Sequence, residues 1–402
     1  MKVAILIADS NGSYPVPAVK GGAVATLVEH LVEMNDLKQL IDMEIISFYD
    51  SEAVEQSAKY PNITFRWIKV PRLFKLLDQI IYSSIRVFFR KKKAISYKSI
   101  SSLVYYIWKA SRIIKKNPYD KLVLENNIPL AWTIKLSRYP GEYFYHFHNI
   151  PRINAKAKEV FHNCTGYLCV SQYVAEQISI SENPVGPVSR ERLKILYNCI
   201  NVDYFKPDYS ARSEIRTRYN LSETDKVLLF VGRMSAEKGI DKLLEAAKKV
   251  QNKVKVLVVG SYIHNAESKD DYLIYLHKLA ESLGNRVIFT GYISQDEVAK
   301  VYNAADIAVL PSMWDEPAGL TMIEAMVSGI PVITTASGGI PEYAGECSIV
   351  LQRDEDLIRN IAESIDGLLD GTIEYPTERA KHRIYDNFSL DNYLERFCEC
   401  LL

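Results

Sequence analysis

Short apolar segments alternate with amphipathic segments along almost all of this 402-residue chain. Such alternation is typical of parallel strands joined by crossover helices, and it therefore predicts an α/β fold. The pattern breaks at the turn-rich stretch 181–189 and restarts near Lys226. Because this length exceeds what one hydrophobic core usually holds, we expect two or three domains.

The apolar segments also locate the individual elements. In the first half, strands are predicted at 3–7, 43–48, 64–69, 122–125, 143–146 and 166–170. In the second half, strands are predicted at 226–231, 254–259, 287–290, 307–310, 332–334 and 348–351. Helices are predicted at 23–34, in a long stretch between 72 and 116, and at 171–178, 240–250, 271–282 and 389–402.

Two glutamates eight residues apart, Glu316 and Glu324, follow the predicted strand 307–310. Glu316 lies in a loop punctuated by Pro and Gly, and Glu324 lies about one turn into the next helix. Open α/β sheets bind ligands in the crevice outside the carboxyl ends of their strands. Carboxylates accept hydrogen bonds from hydroxyl groups, and a helix N-terminus receives an anion. The pair therefore suits a ligand that carries several hydroxyl groups and a phosphate.

A second motif, Phe-Val-Gly-Arg-Met-Ser-Ala-Glu-Lys-Gly-Ile-Asp at 230–241, follows the first strand of the second half. Arg233 and Lys238 are expected to project toward the crevice that Glu316 faces. The helix dipole disfavours cations near a helix N-terminus. A bound anion explains the two cations better than a solvated surface does.

The stretch 310–333 resembles the E-x7-E signature of the retaining nucleotide-sugar glycosyltransferases of GT-B fold, glycosyltransferase family four, also called glycosyl transferases group 1. Ala318 stands where that family usually has an aromatic residue. The segment 193–207 resembles the link that joins the family's two domains. The resemblance implies an α/β fold of two Rossmann-like, doubly wound parallel-sheet domains that face a central cleft.

The resemblance also implies a division of labour between the domains. Residues 1–203, completed by a C-terminal helix at 386–402, would bind the acceptor. Residues 204–385 would bind the nucleotide sugar. Arg233 and Lys238 would stabilise the departing diphosphate, Glu316 would orient the sugar hydroxyl groups, and Glu324 would hold the ribose.

The residues expected at the donor come from several loops. Gly21 and Gly22 precede the first helix and would approach the diphosphate, while Tyr292 and Ile293 would lie near the base. The expected donor-binding residues are Gly21, Gly22, Gly232, Arg233, Lys238, Tyr292, Ile293, Glu316, Ala318, Gly319, Leu320 and Glu324. The loop 337–342 resembles a later family segment and is interpreted as structural.

Two histidines at a strand end, His146 and His148, share one face because side chains alternate along a strand. The resemblance implies that His148 approaches the reacting sugar, which makes it a catalytic candidate with Arg233, Lys238 and Glu316. His146 is interpreted as a core histidine hydrogen-bonded to the backbone. The expected acceptor-binding residues are Asn126, Asn149 and Arg152.

Charge is unevenly distributed, although the net charge is zero. Residues 1–200 carry 27 Lys and Arg against 17 Asp and Glu, and the segment 66–121 holds 15 of these cations with only Asp78 and Asp120 as acids. The segment mixes Lys and Arg with Leu, Ile, Phe and Trp, a composition typical of helices at anionic membranes. The alternative is a core-facing helix with a solvated basic side. No motif for nucleic acid accompanies the charge.

Other features limit the compartment and the chemistry. The apolar N-terminal segment is too short for a secretory signal, and no segment reaches the length of a membrane-spanning helix. The six cysteines show no C-x-x-C pair, and the acidic clusters 269–271 and 354–356 are interpreted as solvated surface. We therefore expect a cytoplasmic protein at the inner face of the plasma membrane, with no metal or cofactor.

These observations favour a retaining glycosyltransferase that moves a sugar from a nucleotide-sugar donor to a lipid-linked glycan in bacterial surface polysaccharide biosynthesis. Two alternatives stay open. One is another GT-B enzyme, such as a nucleotide-sugar 2-epimerase, which needs no acceptor. The other is a non-catalytic partner subunit that binds sugar nucleotides.

Overall fold

Two compact units make up the chain. The computed structural model describes residues 1–8, 14–88, 98–260, 271–291 and 293–402. The first unit comprises Met1–Asn198 with Leu390–Leu402, and the second comprises Cys199–Ser389. Each unit is built around its own parallel sheet with helices between successive strands, so the predicted α/β class with two parallel-sheet domains is confirmed.

The first unit contains a seven-stranded sheet in the order β3-β2-β1-β4-β5-β6-β7. Its strands are β1 (Lys2–Ile7), β2 (Asp42–Phe48), β3 (Thr64–Ile68), β4 (Lys121–Glu125), β5 (Glu142–Phe147), β6 (Gly166–Cys169) and β7 (Leu193–Ile195). Its helices up to β7 are α1 (Ala23–Lys38), α2 (Ser51–Ser57), α3 (Arg72–Phe88), α4 (Ile100–Lys116), α5 (Ala131–Ser137), α6 (Lys158–His162) and α7 (Gln172–Ser179). Side chains of β1 are buried on both faces, as expected for a strand covered by helices on each side.

The second unit contains a six-stranded sheet in the order β10-β9-β8-β11-β12-β13. Its strands are β8 (Lys226–Val231), β9 (Val254–Val259), β10 (Val287–Gly291), β11 (Ile307–Leu310), β12 (Val332–Thr335) and β13 (Ile349–Leu351). Its helices are α8 (Tyr209–Arg218), α9 (Ile240–Ala247), α10 (Asp271–Leu283), α11 (Gln295–Ala304), α12 (Leu320–Val327), α13 (Ile340–Ala344), α14 (Leu357–Leu369) and α15 (Thr377–Phe388).

The strand order reverses once in each sheet. In the first unit β1 pairs with both β2 and β4, and in the second unit β8 pairs with both β9 and β11. At such a reversal the following loops diverge to opposite faces of the sheet and leave a crevice at the carboxyl ends of the strands. The loops after β1, β4, β8 and β11 are therefore the places where ligand-binding residues are expected.

The last helix, α16 (Leu390–Cys400), belongs to the first unit. Leu394 and Phe397 are fully buried, and α16 packs against α1. Lys38 of α1 reaches Asp391 and Glu395 at 3.0 Å each, which fixes the helix at its polar edge. Burial of the two apolar side chains supplies the larger share of the attachment, because exposed ion pairs contribute little.

The structure differs from the sequence-based elements in two places. The long stretch 72–116 contains two helices, α3 and α4, and residues between them lie outside the described residues. Leu193–Ile195, interpreted as part of the link, forms the edge strand β7. A three-residue strand is too short to give an alternating pattern, so only its pairing with β6 identifies it as a strand.

A buried arginine ties α8 to the second sheet. Arg216 is fully buried, and its guanidinium donates to the carbonyl groups of Ala304, Ser222 and Asp225 and to Asp306 Oδ2 at 3.1 Å. The carboxylate of Asp306 also accepts from the backbone N–H of Val227 at 2.7 Å. Each of the three guanidinium nitrogens makes at least one hydrogen bond, so the network depends on each of its members.

We expect Arg216→Ala to lower the free energy of unfolding by about 3 kcal/mol or more, because it leaves buried carbonyl groups and Asp306 without their donor. Arg218→Ala on the same helix is the matched control. Arg218 pairs with Glu214 at the surface, and its loss should cost less than about 1 kcal/mol. Urea unfolding of both variants measures the difference, and equal costs would contradict the assignment.

Candidate active site

Two loops meet at the strand reversal of the second unit. The loop after β8 leads through a short turn at Ala236–Lys238 into α9, and the loop after β11 leads into α12. Their backbones are joined, because the N–H of Met313 donates to the carbonyl of Glu237 at 2.8 Å. Gly239 has φ 68°, and a Cβ there would collide with the carbonyl of Pro311. Only glycine permits this approach, which brings the two motifs together.

Lys238 and Glu316 form the centre of this site. The Lys238 ammonium contacts Glu316 Oε1, and Ser312 Oγ donates to the same oxygen at 2.8 Å. Glu316 is largely buried and Lys238 about three-quarters buried, so the pair is screened less than a surface pair. The sequence-based expectation that these two motifs face one crevice corresponds to a direct contact here. The contact thus places a cation that can bind phosphate beside a carboxylate that can accept hydrogen bonds from hydroxyl groups.

The backbone around Glu316 is held by the loop that follows β12. The carbonyl of Glu316 accepts from the N–H of Gly339 at 2.7 Å. Gly338 has φ 54°, and a Cβ there would collide with that same carbonyl. Arg353 adds a bond to Asp315 at 2.5 Å. The loop 337–342, interpreted as structural, thus positions the residue that carries the proposed chemistry.

The start of α12 adds backbone donors next to Glu316. Gly319 precedes the helix and Leu320 is its first residue, with Ala318 partly buried just before them. The first turn of a helix leaves N–H groups without intrahelical acceptors, and the helix dipole makes them favourable to an anion. Residues 318–320 therefore offer a phosphate neutral donors beside the Lys238 cation.

Glu324 lies one turn further along α12 and faces a different environment. Its Oε2 accepts from the hydroxyl of Tyr302 at 2.7 Å. Burial raises the pKa of Glu324 to about 7, although the Tyr302 hydrogen bond lowers it in part. The carboxyl group is thus poised between its two protonation states near neutral pH. Tyr302 is fully buried and fixes the orientation of that group.

The remaining predicted donor residues occupy nearby loops of the second unit. Gly232 follows β8, and its N–H donates to the carbonyl of Val259 at 3.0 Å. Arg233 is half-exposed and lies 3.7 Å from Glu237, so the structure brings Lys238, and not Arg233, to Glu316. Ile293 is partly buried after β10. Tyr292 lies outside the described residues.

In the first unit, Gly21 and Gly22 occupy the loop after β1. Both have left-handed backbone angles, with φ 69° and 103°, and Gly22 precedes the first residue of α1. A Cβ at Gly21 would meet open space. These glycines are therefore required by backbone conformation and leave room at the helix N-terminus.

Glu125, His146 and His148 form a buried cluster at the carboxyl ends of β4 and β5. Glu125 Oε2 lies 2.9 Å from His148 Nε2 and 3.1 Å from His146 Nδ1. The interpretation of His146 as a histidine bonded to backbone is corrected, because its ring faces this carboxylate. Strand pairing places Glu125 directly opposite His146, which explains the contact. Both residues were visible in the sequence, but the pairing register of β4 and β5, which places them opposite each other, was not.

The same three side chains offer the ligand types of a cation site. One ligand atom from each lies within 4.8 Å of the others, and no other such group of described residues has this composition. Their separations of 2.9 and 3.1 Å are hydrogen-bond distances, which a proton on an imidazole explains without an ion.

The three predicted acceptor residues lie around this cluster. Asn126 has φ 51°, and its Oδ1 accepts from the backbone N–H of His148 at 3.1 Å. Asn149 and Arg152 are exposed in the loop after β5. Asn126 is therefore engaged in holding the loop, while the other two side chains remain accessible.

Sequence reasoning did not single out Tyr302 and Ser312, the partners of Glu324 and Glu316. Neither residue belongs to a recognisable motif in the sequence. Ser312 lies four residues before Glu316 in the same loop, so closeness along the chain was a weak indication that the two side chains are in contact. Tyr302 comes from α11, and only the packing of that helix against α12 brings it to Glu324.

Comparisons with known proteins agree with this architecture. Residues 211–384 match the family model described as glycosyl transferases group 1. An uncharacterized glycosyltransferase of Methanocaldococcus jannaschii is 32% identical over 56% of this chain and 56% of its own length. A lipopolysaccharide 1,2-N-acetylglucosaminetransferase of Salmonella typhimurium is 29% identical over 47% of this chain and 51% of its own length. The chain thus spans about half the length of these two relatives.

Among solved structures, Anabaena HepE in complex with UDP and glucose has a TM-score of 0.70 at 18% identity. The match covers 100% of this chain and 99% of that protein, so the likeness of fold extends over both units. The family match falls on the second unit, which holds Lys238, Glu316 and Glu324. Over residues 211–384 the chain is therefore similar to the glycosyl transferases group 1, and its fold resembles that of the Anabaena protein.

Proposed function

We propose that the chain is a retaining glycosyltransferase that moves a hexosyl or deoxyhexosyl group from a nucleotide sugar to a hydroxyl group of a lipid-linked glycan. The proposed setting is bacterial surface polysaccharide assembly at the inner face of the plasma membrane. The contact of Lys238 with Glu316 beside the start of α12 carries the proposal. It joins a diphosphate ligand and a sugar-hydroxyl acceptor within one rigid set of loops.

The donor would be held by complementary groups. Lys238, Arg233 and the first N–H groups of α12 would stabilise negative charge on the diphosphate as it departs. Glu316 would accept hydrogen bonds from the sugar, and Glu324 from the two ribose hydroxyl groups. The Anabaena structure with UDP supports a nucleotide donor. Because cations and N–H groups already face the diphosphate, we expect no need for a metal ion.

Retention would follow from attack on the face that the diphosphate leaves. The acceptor oxygen would bond to the anomeric carbon as the bond from that carbon to the phosphate oxygen breaks. The acceptor proton would pass to the departing phosphate. Glu316 Oε1 is occupied by Lys238 and Ser312, which suits a carboxylate that orients hydroxyl groups rather than one that attacks carbon.

An exposed apolar stripe on α3 supports a membrane-bound acceptor. Leu73, Leu76, Leu77 and Ile80 lie on one helix face and are 63%, 54%, 38% and 54% exposed. The alternative of a core-facing helix does not fit these exposures. Soluble proteins rarely expose such contiguous apolar rows without a partner. Among the described helices, none is long and apolar enough to cross a bilayer.

The opposite face of α3 is anchored to α4. Asp78 is buried and accepts from the N–H of Ser101 at 2.6 Å and of Ser102 at 3.2 Å, which caps the first turn of α4. Phe74 packs against Tyr105 at a ring distance of 4.8 Å. These contacts hold α3 with its apolar stripe outward.

Cations and an aromatic side chain accompany the stripe. Trp108 of α4 is 40% exposed, with Arg112 4.5 Å and Lys109 5.1 Å from its ring. Arg72 and Lys75 are exposed on α3. Apolar side chains flanked by Lys and Arg favour an anionic lipid surface, since each basic group near it contributes about 1 kcal/mol.

The first prediction concerns the donor. One nucleotide sugar in a panel should raise the melting temperature of the protein, and a chelator should not change that shift. Lys238→Ala should lower the rate of transfer by roughly 10²–10³-fold, because the charge that builds on the diphosphate loses its cation.

Lys242→Ala is the control for that variant. Lys242 lies four residues further along and pairs with Asp241 at 3.1 Å, away from Glu316, so its loss should leave transfer unchanged. Normal turnover of Lys238→Ala would contradict the proposed role. Product formed without any acceptor, by change at the donor sugar alone, would favour an epimerase.

A second prediction concerns pH. Glu324 has a folded-state pKa raised to about 7 from an ordinary value of 4.5. Folding therefore carries a cost that is absent below the ordinary pKa and complete above about pH 7, worth about 3 kcal/mol. Glu324→Gln should remove this cost, so the variant should be more stable than wild type at pH 8 and nearly equal to it at pH 5.

The same variant should bind nucleotide less well, because a neutral amide accepts poorly from two hydroxyl groups. Isothermal titration with the preferred nucleoside diphosphate and its 2′-deoxy form separates the two effects. Wild type should discriminate between these ligands more strongly than Glu324→Gln does. A stability difference that is the same at both pH values would show that ionisation of Glu324 does not carry the cost.

The last prediction here concerns the membrane. The double variant Leu76→Glu/Ile80→Glu should lose binding to phosphatidylglycerol-rich vesicles in a flotation assay, because it places two anions in the apolar stripe. The matched control is Leu37→Glu/Leu40→Glu, which changes two exposed leucines elsewhere in the same unit. Equal loss in both double variants, or equal binding of wild type to neutral vesicles, would count against an anionic surface.

A further inference from the structure

Glu125, His146 and His148 form a cluster of ionisable side chains in the interior of the first unit. Glu125 is 1% exposed, and both of its oxygens lie near the ring of His146, at 3.3 and 3.1 Å. Its Oε2 also meets His148 Nε2 at 2.9 Å. A carboxylate so deeply buried is costly unless a positive partner compensates it. The two imidazole rings that face Glu125 supply its hydrogen-bond partners.

The surroundings shift the pKa values of two members of the cluster. Burial pushes the pKa of Glu125 upward, but the nearby His146 and the hydrogen bonds from both rings lower it to about 2. Burial and the nearby His146 lower the pKa of His148 to about 4. The Glu125 carboxylate is thus ionised and the His148 ring is neutral at physiological pH.

Geometry then determines the tautomer of His148. An ionised carboxylate can only accept hydrogen bonds, so the proton of the neutral ring must lie on Nε2, the atom 2.9 Å from Glu125. His148 Nδ1 therefore presents a lone pair. That atom is buried and has no hydrogen-bond partner among the described residues.

The backbone of the loop keeps the ring in place. The N–H of His148 donates to Asn126 Oδ1 at 3.1 Å, and the N–H of Asn126 donates to the carbonyl of His146 at 2.9 Å. The ring of His146 lies 4.0 Å from that of His148, centre to centre. The unpartnered acceptor is thus held rigidly by the side chains and by the backbone.

We propose that Glu125 and His146 are positioning residues that hold His148 as a neutral imidazole, protonated on Nε2, so that Nδ1 accepts a hydrogen bond from a substrate O–H group. This inference rests on the proposed transferase function. A fixed neutral acceptor would orient a substrate hydroxyl group. Buried polar atoms without partners are rare, and a substrate hydroxyl group would satisfy this one.

The arrangement of protons is measured directly by ¹⁵N nuclear magnetic resonance of histidine-labelled protein. Wild type should show His148 with a protonated Nε2 and a bare Nδ1. The variants His146→Asn and His148→Ala assign the signals among the seven histidines. Glu125→Gln should release the fixed tautomer of His148.

Activity supplies the second readout. Glu125→Gln should lower kcat by about 10- to 100-fold, as loss of an orienting partner does for a ligating histidine. The KM for the donor should stay within about threefold, because the donor-binding residues of the second unit are unchanged. His146→Asn, which keeps an N–H donor toward Glu125, should lose less activity than Glu125→Gln.

Glu44→Gln is the matched control. Glu44 is another fully buried carboxylate of the same sheet, near the start of β2, where it pairs with Arg66 at 3.1 Å and accepts from Tyr119. Its loss should lower stability without changing kcat. If Glu44→Gln reduces kcat as much as Glu125→Gln does, the effect is general destabilisation and the inference is wrong.

The two readouts separate this inference from the proposed function. A wild-type His148 that is protonated on Nδ1, or doubly protonated, overturns the inference whatever the activity. Loss of the proton signals of both rings on addition of Zn²⁺, with a gain in stability, would make the cluster a metal site and also overturn it. The expected tautomer in a protein that transfers no sugar from any donor would count against the transferase and against the substrate contact of Nδ1.

Discussion

Parallel strand pairing with one reversal of order in each sheet is the constraint on which the rest of the structure depends. In the second unit the reversal lies between β8 and β11, and the loops after those two strands carry Lys238 and Glu316. In the first unit the loop after β1 carries the glycines, and the carboxyl ends of β4 and β5 carry the Glu125 cluster. The site of the second unit thus results from strand order, because a reversal makes adjacent loops diverge and expose their polar ends.

The charged side chains have different kinds of partner in the two candidate sites. In the second unit a lysine and a glutamate contact each other directly and would exchange this contact for a substrate, which contains both an anion and hydroxyl groups. In the first unit a carboxylate is shared between two histidines, and this sharing fixes the orientation of both rings. Burial is essential to both, since water would screen the pairs and weaken their effect on neighbouring groups.

The fold was largely predictable from the alternation of apolar segments, and the strands 226–231, 254–259 and 307–310 were predicted with the bounds that the structure shows. Motif spacing also placed Glu316 and Lys238 near each other. Contacts made across elements were not predictable. Tyr302 reaches Glu324 only because α11 packs beside α12, and His146 meets Glu125 only because β4 and β5 pair in that register.

The sequence by itself determined the fold class, the two α/β units and the family motifs, because these depend on local periodicity and on residues close in the chain. Tertiary structure alone decided which side of α3 faces outward, which rings contact the Glu125 carboxylate and which side chains support the two glutamates. The physical reason is that burial and charge pairing depend on neighbours from distant segments. A periodic row of apolar residues gives the same sequence pattern whether a hydrophobic core or a membrane covers it.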